Sequence, residues 1–600
     1  MIRSRTDSLR ISLSLLLAAI IVLTHAGRAP QPAALAAANP QSARSALRIG
    51  VWTLWHDRQL LLKPANNIVL RTCDQCPALS LSQPADFRAQ RDTVTIVQSG
   101  KQQTTPRISL TGPITLTAHG ETITIRNPVS ISARNGALII AVTLPIESYV
   151  QRVVASESGP SDTPQSLQAL AIVVRTFALH ETHGHADYDL CDSTHCQLLH
   201  WARNPSRQSA AHAATLATSG ETLRFHGAPA LAYFSKDCGG RTASPTEIWP
   251  RARALPYLPS QPDRYCTSAD SKAWASELSR SELSAALAKA GLAAPTWQHL
   301  SVDRRGESGR AVTLHLDSKT ISAEDFQLAV GQSLGWSRIP STWFEVTQQA
   351  DRFFFHGRGW GHGVALCQKG AAVMAAQGLS TSQILQQYFP GAQSADDATG
   401  KAWQSFVAAG FVLQSLDSTD AAYLPQIARA RAEASQRSSL NVSTPITVRA
   451  FPSTPAFRNA TLAPGWVAAF TEGPWIATQP LRTLAARHLL DATLLHEFLH
   501  ALVEHEAGPQ APLWLREGLV ETWSSPENQP ASRANAPPAV TLDAIDGALA
   551  HASTEAESAT AHRAAASCAA LLLKRYGRAT VLDWLRSGIP SSVVATLRQR

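Results

Sequence analysis

Between Leu47 and Pro145 the chain reads as a series of short runs: "LRIGVWTLW", "NIVLRT", "TVTIVQSG", "ITLTAHGETITIR" and "ALIIAVTLP". Apolar and polar residues alternate within each run, and Gly, Pro, Asn and Asp punctuate them. That period of two suits half-buried strands and leaves no room for a helix of ordinary length. Residues 47–145 are therefore expected to be a small β-rich region. The rest of the chain does not continue the pattern. Residues 146–395 mix helical and strand-like stretches, with "SRSELSAALAKAGL" as a helix capped by Ser279 or Ser281. "GAQSADDATG" marks a boundary, and residues 396–444 read as a linker or helical connector. From 445 a strand pattern, "ITVRAF", opens a unit that is mostly helical to residue 600. A chain of 600 residues is too long for one core. The expected class is α+β and multidomain.

The first 26 residues carry Arg3, Arg5 and Arg10, then the uncharged run "ISLSLLLAAIIVLT", then Ala26 before a cleavage position, the layout of a secretory signal. The other reading is an uncleaved anchor, for which the run is short against the ~20 residues of a span. Residues 27–46 are rich in Ala, Pro, Gln and Ser and read as a linker. Export permits disulfides among the 8 Cys but fixes no pairing. The formal charge of +8 is spread out and mostly Arg. It suits solubility or attraction to an anionic polymer rather than a nucleic-acid arm, and no nucleic-acid motif is present. No membrane contact is expected beyond the signal segment.

Two regions carry chemistry. In "VVASESGPSDTPQSLQALAIVVRTFAL", Glu157 follows a short apolar, strand-like run and precedes an apolar helix holding Arg175. A buried Glu has a raised pKa and can donate a proton. Equally, Glu157 can be a helix-start carboxylate and Arg175 one half of a structural ion pair. "HADYDLCDSTHCQLLH" then brings His185, Cys191, His195 and Cys196 close together. Such a set suits zinc, and two Cys with one His would leave a fourth position for water or substrate. A Cys191–Cys196 disulfide is the alternative. In "FHGRGWGHGVALCQKGA", alternate glycines alternate with Arg358, Trp360 and His362. The glycines would let a bulky ligand or backbone approach, and Trp360 could stack on a sugar ring.

The ordered motifs "LPIESYVQRVVASE", "LQALAIVVRTFAL", "DLCDSTHCQ", "CGGRT" and "GRGWGHGVALCQKGA" resemble the stage II sporulation protein D/LytB family over roughly 47–395. The resemblance implies a peptidoglycan lytic transglycosylase acting on glycan strands, or an amidase enhancer. It implies Glu157 as the catalytic acid and His185, Cys191 and Cys196 as zinc ligands, with Arg175, Arg358, Trp360 and His362 toward substrate. "VALCQKGA" departs from the family's usual Ser-Gln-Tyr-Gly-Ala, since Cys367 and Lys369 are unusual there. One Glu suffices for such a reaction: it protonates the leaving oxygen, then takes the proton of the sugar's own C6 hydroxyl.

The second region is "LLHEFLHALVEH". His496 and His500 stand at i and i+4 on one helix face with Glu497 between them, the HExxH arrangement of two zinc ligands and a general base. The metzincin continuation fails at Val503 and Glu506. "PLWLREGLVETW" offers Glu517 and Glu521 instead. HExxH followed by Trp-Leu-x-Glu-Gly resembles the gluzincin peptidase MA-like domains, over about 445–600. The resemblance implies His496, His500 and Glu517 as zinc ligands and Glu497 as the base. The combined expectation is an exported, peptidoglycan-acting transglycosylase fused to a zinc metallopeptidase-like domain. Its rival is a non-catalytic wall-binding protein or amidase enhancer.

Overall fold

The computed structural model describes residues 45–598 apart from 74, 181–184, 202–204, 250, 269–272, 294–295, 526–540 and 553. The signal segment and almost all of the linker lie outside the described residues. The β-rich region is present as expected. A seven-stranded sheet runs in the order Leu190–Cys191, Ala46–Val51, Ala137–Pro145, Val129–Arg134, Arg107–Thr111, Ile68–Arg71, Leu79–Leu81. A six-stranded sheet built around Gln59–Pro64 and Ala85–Gln90 accompanies it. Inward residues of both sheets, such as Ile49, Leu62, Phe87, Leu116 and Ile131, share one core with the helices that follow. The alternation seen in the sequence is the alternation of burial along these strands. Cys73 and Cys76 form a disulfide at the end of one strand.

Two helices continue that core. Ile146–Glu157 buries Ile146, Tyr149, Val150, Val153 and Val154, a helical i, i+3, i+4, i+7, i+8 stripe. This corrects the strand-like reading of "VVAS". The helical period begins upstream at Ile146, so Glu157 ends a helix instead of standing at a strand–helix junction. Pro164–His180 follows and is buried on most sides.

Residues 274–357 form an excursion with its own core around Phe326, Phe344, Phe353 and Phe355. It leaves and returns through one antiparallel pair, Trp274 opposite Gly357 and Ser279 opposite Arg352. Ser279 caps its first helix, Arg280–Lys289, with Glu282 completing a capping box.

The C-terminal unit begins earlier than expected. Gln404–Ala408 and Phe411–Ser415 join a five-stranded sheet with Ile446–Ala450, Trp475–Thr478 and Ala469–Glu472. Phe411 and Leu413 point inward at alternate positions, and Leu424–Ser438 buries Ile427, Ala430 and Ala434 in the same core. The stretch 396–444 is thus largely part of this domain, not a connector. The helical region that follows contains Leu490–Glu506, Leu513–Ser524 and the long Glu555–Ser587.

The two halves meet through Arg449, which is 2 % exposed. Its guanidinium donates to Glu221 Oε1 at 2.9 Å and to the carbonyls of Ala217 and Ser219, and lies 3.6 Å from the Trp403 ring centre. Leu216 packs with Phe451 and Phe457 alongside. Among the described residues no helix is long and apolar enough to cross a membrane.

Candidate functional site

Glu157 sits at the C-terminal end of its helix, where the helix dipole disfavours negative charge. Burial pushes its carboxyl up to about 7, against the opposing pull of Lys236 and of the Leu198 N–H. Lys236 is therefore a site residue that the sequence reading did not single out, two residues before the "CGGRT" motif. It is exposed, and its ammonium lies 5.4 Å from the ring centre of Trp360. Trp360 is 42 % exposed. Its backbone exchanges two hydrogen bonds with Asp237, at 2.7 and 3.1 Å. Gln368 donates to the Glu157 carbonyl at 3.3 Å, so the glycine-rich loop and the acid are directly linked.

The Cys/His loop is fastened to the same helix. Tyr149 donates to Gln197 Oε1 at 2.9 Å, the Leu198 N–H meets Glu157, and the His200 N–H donates to Ser156 Oγ at 2.9 Å. Its front is held by Asp189 and Asp192, which take backbone N–H groups of Arg48 and Trp52 at 2.7 and 2.6 Å. Gly50 is needed opposite, because a Cβ there would stand 2.9 Å from the Tyr188 ring. Within the loop the donor atoms of His185, Cys191, His195 and Cys196 lie within 4.8 Å of one another. The sulfurs are 3.1 Å apart and unbonded. Hydrogen bonding between the two thiols pulls Cys191 down and pushes Cys196 up. His195 thus supplies a fourth donor where the sequence reading left an open position. A cleft of 540 Å³ opens beside this loop, lined by Trp52, Trp55, Ser156, Trp201 and Arg207.

Three expected substrate contacts are engaged elsewhere. Arg175 is 1 % exposed and gives Glu147 a two-pronged ion pair at 3.0 and 2.6 Å. It is a structural cation, because an arginine inside an apolar helix must be paired to be buried. Arg358 stacks 3.8 Å from the Trp343 ring centre. His362 accepts the Val364 N–H at 3.0 Å, and its other ring nitrogen donates to the Phe234 backbone carbonyl. Burial, then Arg310, pushes its pKa down to about 4, so it serves as a neutral brace of the loop. The alternate glycines also do other work than admitting a ligand. A Cβ at Gly363 would strike the Arg310 guanidinium, and one at Gly359 would lie 2.9 Å from the Asp237 carbonyl.

In the C-terminal unit, Leu490–Glu506 presents His496 and His500 with their Nε2 atoms 3.0 Å apart. Glu517, from the next helix, reaches 3.6 Å from His500 Nε2. His562, from Glu555–Ser587, lies 3.2 Å from Glu521 and 3.7 Å from Glu517. Glu497 is buried and receives a 2.6 Å hydrogen bond from Thr471 on the edge strand. Burial raises its carboxyl to about 7, and burial lowers both His496 and His500 to about 4. Neutral imidazoles are the form that binds metal.

Residues 134–225 match the family model described as stage II sporulation protein, and residues 254–365 match a domain of unknown function, DUF8618. An uncharacterized protein of Brachyspira hyodysenteriae is 29 % identical over 265 residues, 44 % of this chain and 70 % of the relative. Stage II sporulation protein D of Bacillus subtilis is 24 % identical over 333 residues, 51 % of this chain and 88 % of the relative. The amidase enhancer of Bacillus subtilis is 24 % identical over 292 residues, 40 % of this chain and 39 % of the relative.

Proposed function

We propose that this chain is an exported cell-wall protein that cleaves peptidoglycan glycan strands by lytic transglycosylation, with Glu157 as the acid and then the base. The reading starts from the match of residues 134–225 to the sporulation protein family and from relatives named for sporulation and amidase enhancement. The observation that carries it is the state of Glu157. With its carboxyl raised to about 7, Glu157 is substantially protonated at neutral pH and is poised to give that proton up. Among the described residues the charged side chain acting on it is Lys236, not a second carboxylate. A retaining hydrolase would need a carboxylate ~5 Å away to act as nucleophile.

Glu157 donates its proton to the glycosidic oxygen as the C1–O bond breaks. The carboxylate so formed takes the proton of the C6 hydroxyl, and that oxygen bonds C1 to close a 1,6-anhydro ring. The acid is regenerated and no water is consumed. Trp360 offers a ring face for a sugar, and Lys236 stabilises the transient carboxylate. His185, Cys191, His195 and Cys196 fit a closed zinc site, since four soft donors fill a tetrahedron. There a metal would supply rigidity: Gln197, Leu198 and His200 just beyond it fix the helix end that carries Glu157.

For the C-terminal unit we propose a gluzincin-type peptidase site. His496, His500 and Glu517 would hold zinc, and Glu497 would take a proton from water. Zinc bound there would lower the pKa of that water. The 3.6 Å approach of Glu517 to His500 Nε2, against the shorter pairing of Glu521 with His562, favours Glu517 as the third ligand.

The test is digestion of peptide-free glycan strands by the full chain, read by mass spectrometry. Products ending in 1,6-anhydro-muramic acid, absent with Glu157→Gln, are expected. Reducing ends that have gained water would overturn the mechanism. Binding without cleavage would replace it with an amidase-enhancer role.

A further inference from the structure

Behind the glycine-rich loop, three cysteines from separate segments converge on one aspartate. Cys238 follows the strand Phe234–Ser235, Cys266 lies in the helix Arg264–Ser268, and Cys367 caps the helix Gln368–Ala376. Asp263 stands just before the second of these helices. The donor atoms of all four lie within 4.8 Å of one another. Cys238 and Asp263 are each 1 % exposed, and Cys266 and Cys367 are each 0 %. A tetrahedron of ~2.3 Å zinc–sulfur bonds has edges of about 3.8 Å, so the spread matches a closed structural site.

The surroundings are built for negative sulfur. Cys367 Sγ accepts the Cys238 and Gly370 N–H groups at 3.3 and 3.5 Å, the latter from the first turn of its own helix. Asp263 is oriented by the Tyr388 hydroxyl at 2.9 Å and by the N–H groups of Tyr265 and Cys266 at 3.1 and 3.0 Å. Arg310, 0 % exposed, is placed to offset anionic charge, donating to the carbonyls of Cys238 and Gly361 at 3.1 and 2.9 Å. A disulfide is the poorer use of these groups. Three thiols can form one bridge at most, which would leave the third thiol unbonded beside a buried carboxylate.

We propose that Cys238, Asp263, Cys266 and Cys367 bind a second, structural zinc ion, distinct from the Cys191/Cys196 site and independent of the chemistry assigned to Glu157. It staples the exit of the glycine-rich loop to the segment after the strand Phe234–Ser235 and to the helix Arg264–Ser268. Gln368, one residue beyond Cys367, then reaches the Glu157 carbonyl, so the ion would fix the wall opposite the acid. The unusual Cys367 thereby acquires a role.

Two measurements on the full chain, purified without chelators, test this. First, unreduced protein is denatured with iodoacetamide and mapped by peptide mass spectrometry. Cys238, Cys266 and Cys367 should all be alkylated, and a disulfide at any of them overturns the proposal. Second, the C191S/C196S variant removes the thiolates of the other site, leaving only this one able to give a thiolate–cobalt charge-transfer band on Co²⁺ substitution. That band should persist, and C266S should hold one zinc fewer per chain than wild type. Absence of the band, or wild-type zinc content in C266S, overturns it. Should C266S fail to fold, the cobalt spectrum and the alkylation map decide without it.

Discussion

Replacing Glu157 by Gln should stabilise the protein, and only above acidic pH. The folded chain holds the Glu157 proton to about 7, against an ordinary 4.5. Between those values the folded state binds more protons at this position than the unfolded state, so wild-type stability falls as pH rises through the window. Above about pH 8 the carboxylate is ionised in both states and the full penalty is present. At ~1.4 kcal/mol per pH unit, the interval amounts to roughly 3 kcal/mol. Gln keeps an oxygen for the Leu198 N–H and carries no charge, so the variant escapes the penalty. For a large cooperative unit, ~2 °C per kcal/mol gives a melting point about 6 °C above wild type at pH 8.5. The difference should shrink to nothing near pH 4. The assay is thermal unfolding of both proteins across that range, followed by tryptophan fluorescence. An offset that does not change with pH would show that the benefit is packing rather than charge, and no offset at pH 8.5 would show that Glu157 is not desolvated. Glycan cleavage should run the other way, declining as pH rises past about 7, because the acid must start protonated.

Glu147→Gln should destabilise by ~3–5 kcal/mol, since it leaves the buried Arg175 charge without its partner; a melting curve measures it, and an unchanged midpoint would contradict the ion-pair role. Trp360→Ala should weaken binding of peptide-free glycan about tenfold, ~1.4 kcal/mol, with little change in melting; co-sedimentation reads the binding and a melting curve the stability, and unaltered binding would remove Trp360 from the substrate groove. Glu517→Ala should lose the zinc of the C-terminal site while Glu521→Ala retains it; elemental analysis giving the reverse would exchange their roles.

What could be read in advance depended on how locally each feature is encoded. The β-rich region was legible because a period of two is visible within any six residues. Glu157 stands out as an acid beside an apolar stretch, but its helix is visible only in the stripe that begins at Ile146, upstream of the short apolar run "VV". His496, Glu497 and His500 come from one helix and needed only their spacing. His195 lay in plain view within a dense motif, yet nothing in a linear string says which of two histidines turns inward. The Cys238, Asp263, Cys266 and Cys367 group was illegible for a different reason. Its members are brought together only by the fold, across an excursion with its own core that single-sequence patterns do not delimit. Arg175 and Arg449 follow the same logic: each is a lone cation in an apolar run, and whether it meets a substrate or an acid is settled by another element, the preceding helix with Glu147 for Arg175 and the strand with Glu221 for Arg449.

The excursion at 274–357 leaves its host where Trp274 faces Gly357. To the rest of the chain it is topologically no more than a hairpin: the host's own loop closure is unaffected by how much sequence lies beyond that pair. Evolution can therefore lengthen, trim or exchange the material beyond it while the groove keeps its shape. A few contacts limit this freedom: the Ser308 N–H donates to Glu247 at 3.0 Å, and Trp343 carries the Arg358 guanidinium on its ring. Arg310 reaches back out of the excursion to the Cys238 and Gly361 carbonyls, in space kept open by Gly359 and Gly363. A replacement unit lacking a cation at that point would leave two carbonyls facing a void, so the excursion is interchangeable only where it does not touch the host.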